Sequence, residues 1–350
     1  MSLRRAIVSL VIIAPIIAAA CGGGGGTPAK GTPGALPSAN AATTPAAGAG
    51  SIIFSREDGL AQYDIKAGAA KLLVKPADAN TFLLDPAISP DHALIAYVSQ
   101  PPPKNVGGQY DAGSDLWVAN RDGSNPHAVF THVTPNQLVR FPQWEDQGHI
   151  LAIVQEIAQA NGTTSVTYTL ERVDVATGAR ANVIKDVLSF GLSPDAKRAV
   201  YAHLAPQTGE TLEAVDLGGG SPAMLVDLSQ NLAPFNSPRY SPDGATIAFA
   251  SADQTGARAD FAYVTARGFG PAADAANDGL PEDIWTMPAA GGTPKRVADL
   301  KEDLPAVTWS GDGKHLYVLG ANALYDVNLA SGAIDRIGPG SFHGQLVWTP

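Results

Sequence analysis

The side chains that could carry chemistry in this chain are few and scattered. Seven histidines occur, at His92, His127, His132, His149, His203, His315 and His343. A catalytic metal centre takes three protein ligands, so carboxylates such as Glu302 or Asp303 would have to complete any set built on them. The run Asp-Ala-Ala-Asn-Asp-Gly from Asp274 offers oxygen ligands suited to Ca²⁺, without the full EF-hand spacing. No Gly-x-Ser-x-Gly nucleophile elbow is present, and no Ser-His-Asp arrangement follows from spacing. The pentaglycine from Gly22 lacks the preceding strand and following helix of a phosphate-binding loop. No cofactor is expected. Recognition chemistry is better represented: the stretch Ala252 to Glu282 interleaves Arg258, Asp260, Phe261, Tyr263, Arg267 and Phe269.

The elements that must position these residues come from a repeat. Pro238 to Ser251 reads PRYSPDGATIAFAS, and near-copies begin at Pro86, Pro142, Phe190 and Val307. In each, a bulky residue (Ile88, Trp144, Leu192, Tyr240, Trp309) precedes a Ser-Pro-Asp-Gly-like turn, where proline presets φ and Asp-Gly accepts the rest. A short apolar strand follows, with Phe54, Tyr97, Ile153, Tyr201, Phe249 and Val318 expected at one matched place. Third strands begin at Ala61, Asp115, Thr169, Thr211, Asp283 and Ala323, each followed by a glycine-containing turn and a fourth strand. Alternation of period two within these runs indicates strands, not helices. Asp115 and Asp283 stand at matching strand starts, and Asp91, Asp146, Asp195, Asp243 and Asp312 at matching turns, so both groups read as structural.

Five full hairpins but six third strands are present. The first unit begins at its second strand, from Ser51, and the final Leu346 to Pro350 has the sequence of an innermost strand with Trp348 as its bulky residue. The two ends therefore complete one blade between them. The fold expected is all-β: a six-bladed β-propeller of four-stranded antiparallel blades over 51–350, closed by the C-terminal strand joining the N-terminal blade. Blades of about 50 residues are ordinary for such rings. Within each blade, the connection between strands two and three lies at the same end of the ring as the link to the next blade. We term this end the loop face, and the opposite one, bearing the Ser-Pro-Asp-Gly turns, the turn face. Loop-face connections vary widely, at Gln100 to Ser114, Glu156 to Val166 and Ala252 to Glu282, and long excursions in a compact domain usually serve function.

These Ser-Pro-Asp-Gly repeats resemble those of the TolB propeller family, six-bladed and bacterial, over nearly all of Ser51 to Pro350. The same repeat type occurs in the propellers that gate prolyl oligopeptidase-like enzymes. The resemblance implies the fold and leaves function open, since propellers host binders, scaffolds and enzymes. The sequence departs from TolB in showing no N-terminal α/β domain, so TolB's partners do not carry over, and it shows no hydrolase domain. Some TolB-like propellers are metal-dependent lyases. Of the histidines, only His132 and His343 fall near loop-face connections.

The first fifty residues suggest an address. Arg4 and Arg5 precede an uncharged apolar run, Ala6 to Ala20, too short to span a bilayer comfortably. Small residues then lead into Cys21, the only cysteine. The pattern is a secretory signal, 1–20, with a small-residue cleavage site. The cysteine directly after it resembles a bacterial lipoprotein signal, with Ala18 where leucine is usual. One cysteine allows no internal disulfide, and lipid attachment at Cys21 gives it a use. Residues 21–50 carry the lipidated cysteine and a Gly/Pro/Ala-rich disordered tether with a reach of roughly 30 Å.

The formal net charge is −10, and loss of Arg4 and Arg5 with the signal would take it to −12. An acidic chain without basic runs argues against nucleic acid and against electrostatic adhesion to anionic lipid. The expectation is a monomeric, extracytoplasmic propeller, held by its N-terminal lipid to the cell membrane or outer membrane. It would bind a protein, peptide or carbohydrate through His132, Arg140, Asn236, Arg239, Arg258, Phe261 and His343. The alternative is a hydrolase or lyase acting on an extracellular polymer, in one form metal-dependent.

Overall fold

Residues 50–106, 109–160, 163–205, 209–255, 281–341 and 344–350 are described by the structure, a computed structural model. Cys21, Arg258, Phe261, His343 and the Asp274 run lie outside them. The described residues form six four-stranded antiparallel sheets and one small hairpin. Blade one is Leu346–Thr349, Ser51–Arg56, Gly59–Asp64 and Ala69–Val74, from the axis outward. Its inner pairing runs from Ser51 opposite Thr349 to Phe54 opposite Leu346, which closes the ring with both ends of the chain. The other five innermost strands are Phe82–Ile88, Leu138–Trp144, Val187–Leu192, Asn236–Tyr240 and Ala306–Trp309, each followed in order by the rest of its own blade.

The core is divided among the blades. Each of the six hydrophobic clusters bridges two adjacent blades, and together they cover all six junctions. This explains why second strands are apolar at successive positions rather than at alternate ones. In Leu94–Gln100, Ile95 and Tyr97 pack toward blade one while Ala96 and Val98 pack toward blade three. A sheet covered on both faces needs both sets.

The turns show why serine and aspartate recur. Ser241 Oγ donates to Asp243 Oδ1 at 2.5 Å and accepts from the Thr246 amide at 3.0 Å, while Asp243 Oδ1 accepts from the Ala245 amide at 3.0 Å. The same set recurs around Ser89, Ser193 and Ser310. Hydrogen bonding to serine holds Asp91, Asp195, Asp243 and Asp312 below the usual carboxylate range. Blade three differs. Trp144 pairs with Ile150, whereas Tyr240 pairs with Ile247, so its turn is one residue shorter. A one-residue slip exchanges the faces of a strand: Ile153, expected at the same place as Phe249, instead packs toward the following blade.

Gly311 stands where three of the other turns carry proline. A Cβ there would lie 2.2 Å from the Trp348 ring, so the closing strand's indole occupies the space that a side chain would need.

Candidate functional site

Two of the long loop-face connections are built of strands. Glu156 to Val166, expected as an irregular loop, continues the blade-three hairpin: His149–Ala160 and Thr163–Asp174 pair out to Ala160 opposite Thr163. The inner neighbour stops at Gln155 and the outer one at Thr169. Among the described residues, neither backbone edge of the projecting part pairs with a neighbouring strand. Within Gln100 to Ser114, Lys104–Val106 pairs with Gln109–Asp111. Exposed apolar side chains on this face include Val106 and Val133.

His132 fixes the second of these hairpins. Its Nδ1 lies 2.6 Å from Asp115 Oδ1 and its Nε2 3.3 Å from Asp111 Oδ2, and Asp115 also accepts the His132 amide at 2.9 Å. Burial alone would lower the imidazole, but its hydrogen bonds to the two carboxylates outweigh it and raise its pKa above the ordinary value. Both ring nitrogens can then donate. A Cβ on Gly113 would lie 2.4 Å from this ring, so glycine is needed for the approach. Asp283 plays the part of Asp115 in blade five, accepting from the Leu300 and Lys301 amides and from Arg296. Asn236 is likewise engaged, donating to the Glu282 carboxylate at 2.8 and 2.9 Å.

At the axis, one carboxylate ties three blades. Asp85, wholly buried, accepts from Arg140 Nε at 2.9 Å, from the Phe141 amide at 3.1 Å and from the Gln345 amide at 2.9 Å. It sits at φ 51° and Phe141 at φ 55°, left-handed positions that interrupt the register of their strands and that non-glycine residues seldom occupy. Gln345 extends the network, its Oε1 accepting from Ser237 Oγ at 2.6 Å and Arg239 Nη2 at 2.9 Å. Ser237 Oγ in turn accepts from the Val307 amide at 3.0 Å. Asp85, Ser237 and Gln345 were not among the expected site residues; a lone carboxylate in the apolar run Phe-Leu-Leu-Asp-Pro-Ala-Ile was the available signal, because buried acids are paired.

Arg140 and Arg239, both expected on the loop face, are thus joined through Asp85 and Gln345 at the axis. Arg239 also reaches the turn face. With Leu192, Pro194, Tyr240, Trp309 and Trp348 it lines an open hollow of about 230 Å³ among the Ser-Pro-Asp-Gly turns. Its Nη1 donates to the Phe190 and Pro238 carbonyls at 2.7 and 2.9 Å. Burial pushes its pKa down to about 10, against the opposing pull of Asp85; it remains a cation at neutral pH.

The remaining histidines are dispersed. His203 lies 2.9 Å from Glu213, His315 2.6 Å from Asp326 and His149 3.0 Å from Asp146. Among the described residues no three metal-ligating side chains converge.

Fold and axis together define a six-bladed β-propeller sealed by its own two ends, of TolB-like build. No family model matches the chain, and no curated protein matches it in sequence. Solved structures do match in fold. TolB from Acinetobacter baumannii superposes with a TM-score of 0.48 at 18% identity, over 83% of this chain and 68% of that one. A protein described as TolB from Agrobacterium tumefaciens gives 0.50 at 15% identity, over 87% of this chain and 100% of that one. Hydrazine synthase from Kuenenia stuttgartiensis gives 0.45 at 12%, over 77% and 70%. At such identities the likeness is one of fold, and partners and reactions are not transferred by it.

Proposed function

We propose that this chain is an extracytoplasmic binding propeller, anchored to the membrane through lipid on Cys21, which captures a protein, peptide or carbohydrate on its loop face. The observation that carries the reading is the contrast between the two ends of the ring. Tight, self-bonded serine–aspartate turns occupy one end. Projecting hairpins occupy the other. The blade-three hairpin extends beyond its neighbours with both backbone edges unpaired among the described residues, and such edges accept an added strand. That favours a polypeptide among the three ligand classes. His132 and its two aspartates supply the rigidity that limits the ordering cost of binding.

Replacing 157–166 by a two-residue turn tests the binding half. The shortened protein should melt as the parent does and lose the partner recovered by crosslinking and pull-down. Unchanged recovery of every partner would overturn the reading. The anchoring half is tested by Cys21→Ser, which should move the protein from the membrane fraction to the soluble one.

A further inference from the structure

We propose that the cavity on the turn face binds a small carboxylate carrying an apolar or aromatic group, with Arg239 as its counter-ion and Trp309, Trp348 and Tyr240 as its walls. This goes beyond the loop-face reading and concerns the opposite end of the ring.

The argument starts from charge. Arg239 and Arg140 share one network but not one fate. Arg140 has Asp85 at 2.9 Å. Arg239 bonds only neutral oxygens: the Phe190 and Pro238 carbonyls and the Gln345 amide. The carboxylate whose field it feels, Asp85, is already bonded to Arg140 and to two main-chain amides. Arg239 is half-buried; a cation partly withdrawn from water without a partner anion is unfavourable, and an anion entering from outside offsets that cost. Guanidinium also has donors to spare. It carries five N–H groups, and Nε makes no hydrogen bond among the described residues. The fork of Nε and Nη2 matches the two oxygens of a carboxylate.

The walls decide the rest of the ligand. Two indoles, a phenol ring and the Pro194 and Pro242 rings line the hollow together with Arg239, with Ser241 and Thr308 as the small polar residues. Aromatic and proline faces suit a flat apolar body. No second cation lines the cavity, so a singly charged acid fits better than a phosphate. A volume of about 230 Å³ lies below the usual range for drug-sized ligands, roughly 300–1,000 Å³, and limits the guest to a small acid.

The test is a calorimetric titration of the full chain with phenylacetate and, in parallel, with its uncharged isostere phenylacetamide. Saturable binding of phenylacetate is expected, with quenching of tryptophan fluorescence. The amide should bind at least about tenfold more weakly, because it forfeits a charge-assisted hydrogen bond. Arg239→Met should abolish the preference for the acid. Leu192→Trp, which enlarges a lining residue that makes no hydrogen bond to Arg239, should abolish binding altogether and decides the matter if Arg239→Met does not fold. Absence of saturable binding to the parent protein, equal affinity for acid and amide, or binding that survives Leu192→Trp would overturn the proposal.

Discussion

Replacing Asp85 by asparagine would strike the axis of the ring at one point. The substitution keeps the size of the side chain, and asparagine tolerates the left-handed backbone found there, φ 51°. It removes the charge opposite Arg140, whose side chain is 8% exposed against 0% for Asp85. It also turns one acceptor oxygen into an amide donor facing Arg140 Nε and the Phe141 amide, both of which now donate to Asp85 Oδ2. Breaking a buried ion pair from one side costs about 3–5 kcal/mol. At roughly 2 °C per kcal/mol for a domain of this size, the melting temperature should fall by about 6–10 °C. Near-UV circular dichroism through a thermal scan reads the loss. Arg140→Met in the Asp85→Asn background should recover part of it, since the uncompensated cation goes with the guanidinium, and the double-mutant cycle should show coupling well above about 0.5 kcal/mol. A fall below about 2 °C, or additive effects in the cycle, would refute the view that this carboxylate joins three blades.

The other predictions concern closure and pH. Gly311→Ala places a Cβ 2.2 Å from the Trp348 ring; displacing the indole should cost about 1–3 kcal/mol, seen as a lower melting temperature with altered tryptophan emission. His132 has a raised pKa, so its contribution to stability is complete below the unfolded value of about 6.5 and is lost as pH rises through the higher folded value. His132→Gln should flatten that alkaline decline in a series of thermal melts, and an unchanged slope would remove the clamp from the account. The turn aspartates have lowered pKa values, so their contribution is present above about 3.9 and is lost as pH falls through the lower folded values. Ser241→Ala, which removes the hydroxyl bonded to Asp243, should make the acid-side loss shallower.

What could be read in the chain and what could not divide along sequence separation. The six blades were legible because turn, bulky residue and apolar strand recur locally, and the closure was legible because Leu346 to Pro350 repeats an innermost strand. The blade-three hairpin was legible in principle: Thr163 to Thr169 reads TTSVTYT, a β-branched run of strand character, yet its polarity makes it resemble a loop. The shortened blade-three turn was hidden by an ungapped alignment that matches Pro142, Gly148 and Ile153 with Pro238, Gly244 and Phe249 and so sets Asp146 against Pro242; only matching Asp146 with Asp243 exposes the missing residue. The axis was the least visible part. Asp85 meets Arg140 across 55 positions and Gln345 across 260, and no local pattern connects them. Arg140 and Arg239 were singled out as loop-face residues, but the inner strands carry them inward, one to an ion pair and the other to the turn-face cavity.

The central claim is that the projecting loop-face hairpins, not the recurrent turns, meet the partner. Site-specific photocrosslinking in the native cell tests it most directly, with the photoreactive residue placed in turn at Glu156, Ala158 and Ser165 on the blade-three hairpin and at Asp195, Asp243 and Asp312 on the turns. The account predicts that the hairpin positions crosslink to a common polypeptide while the turn positions do not. Crosslinks arising from the turns alone, or equally from both ends of the ring, would contradict it.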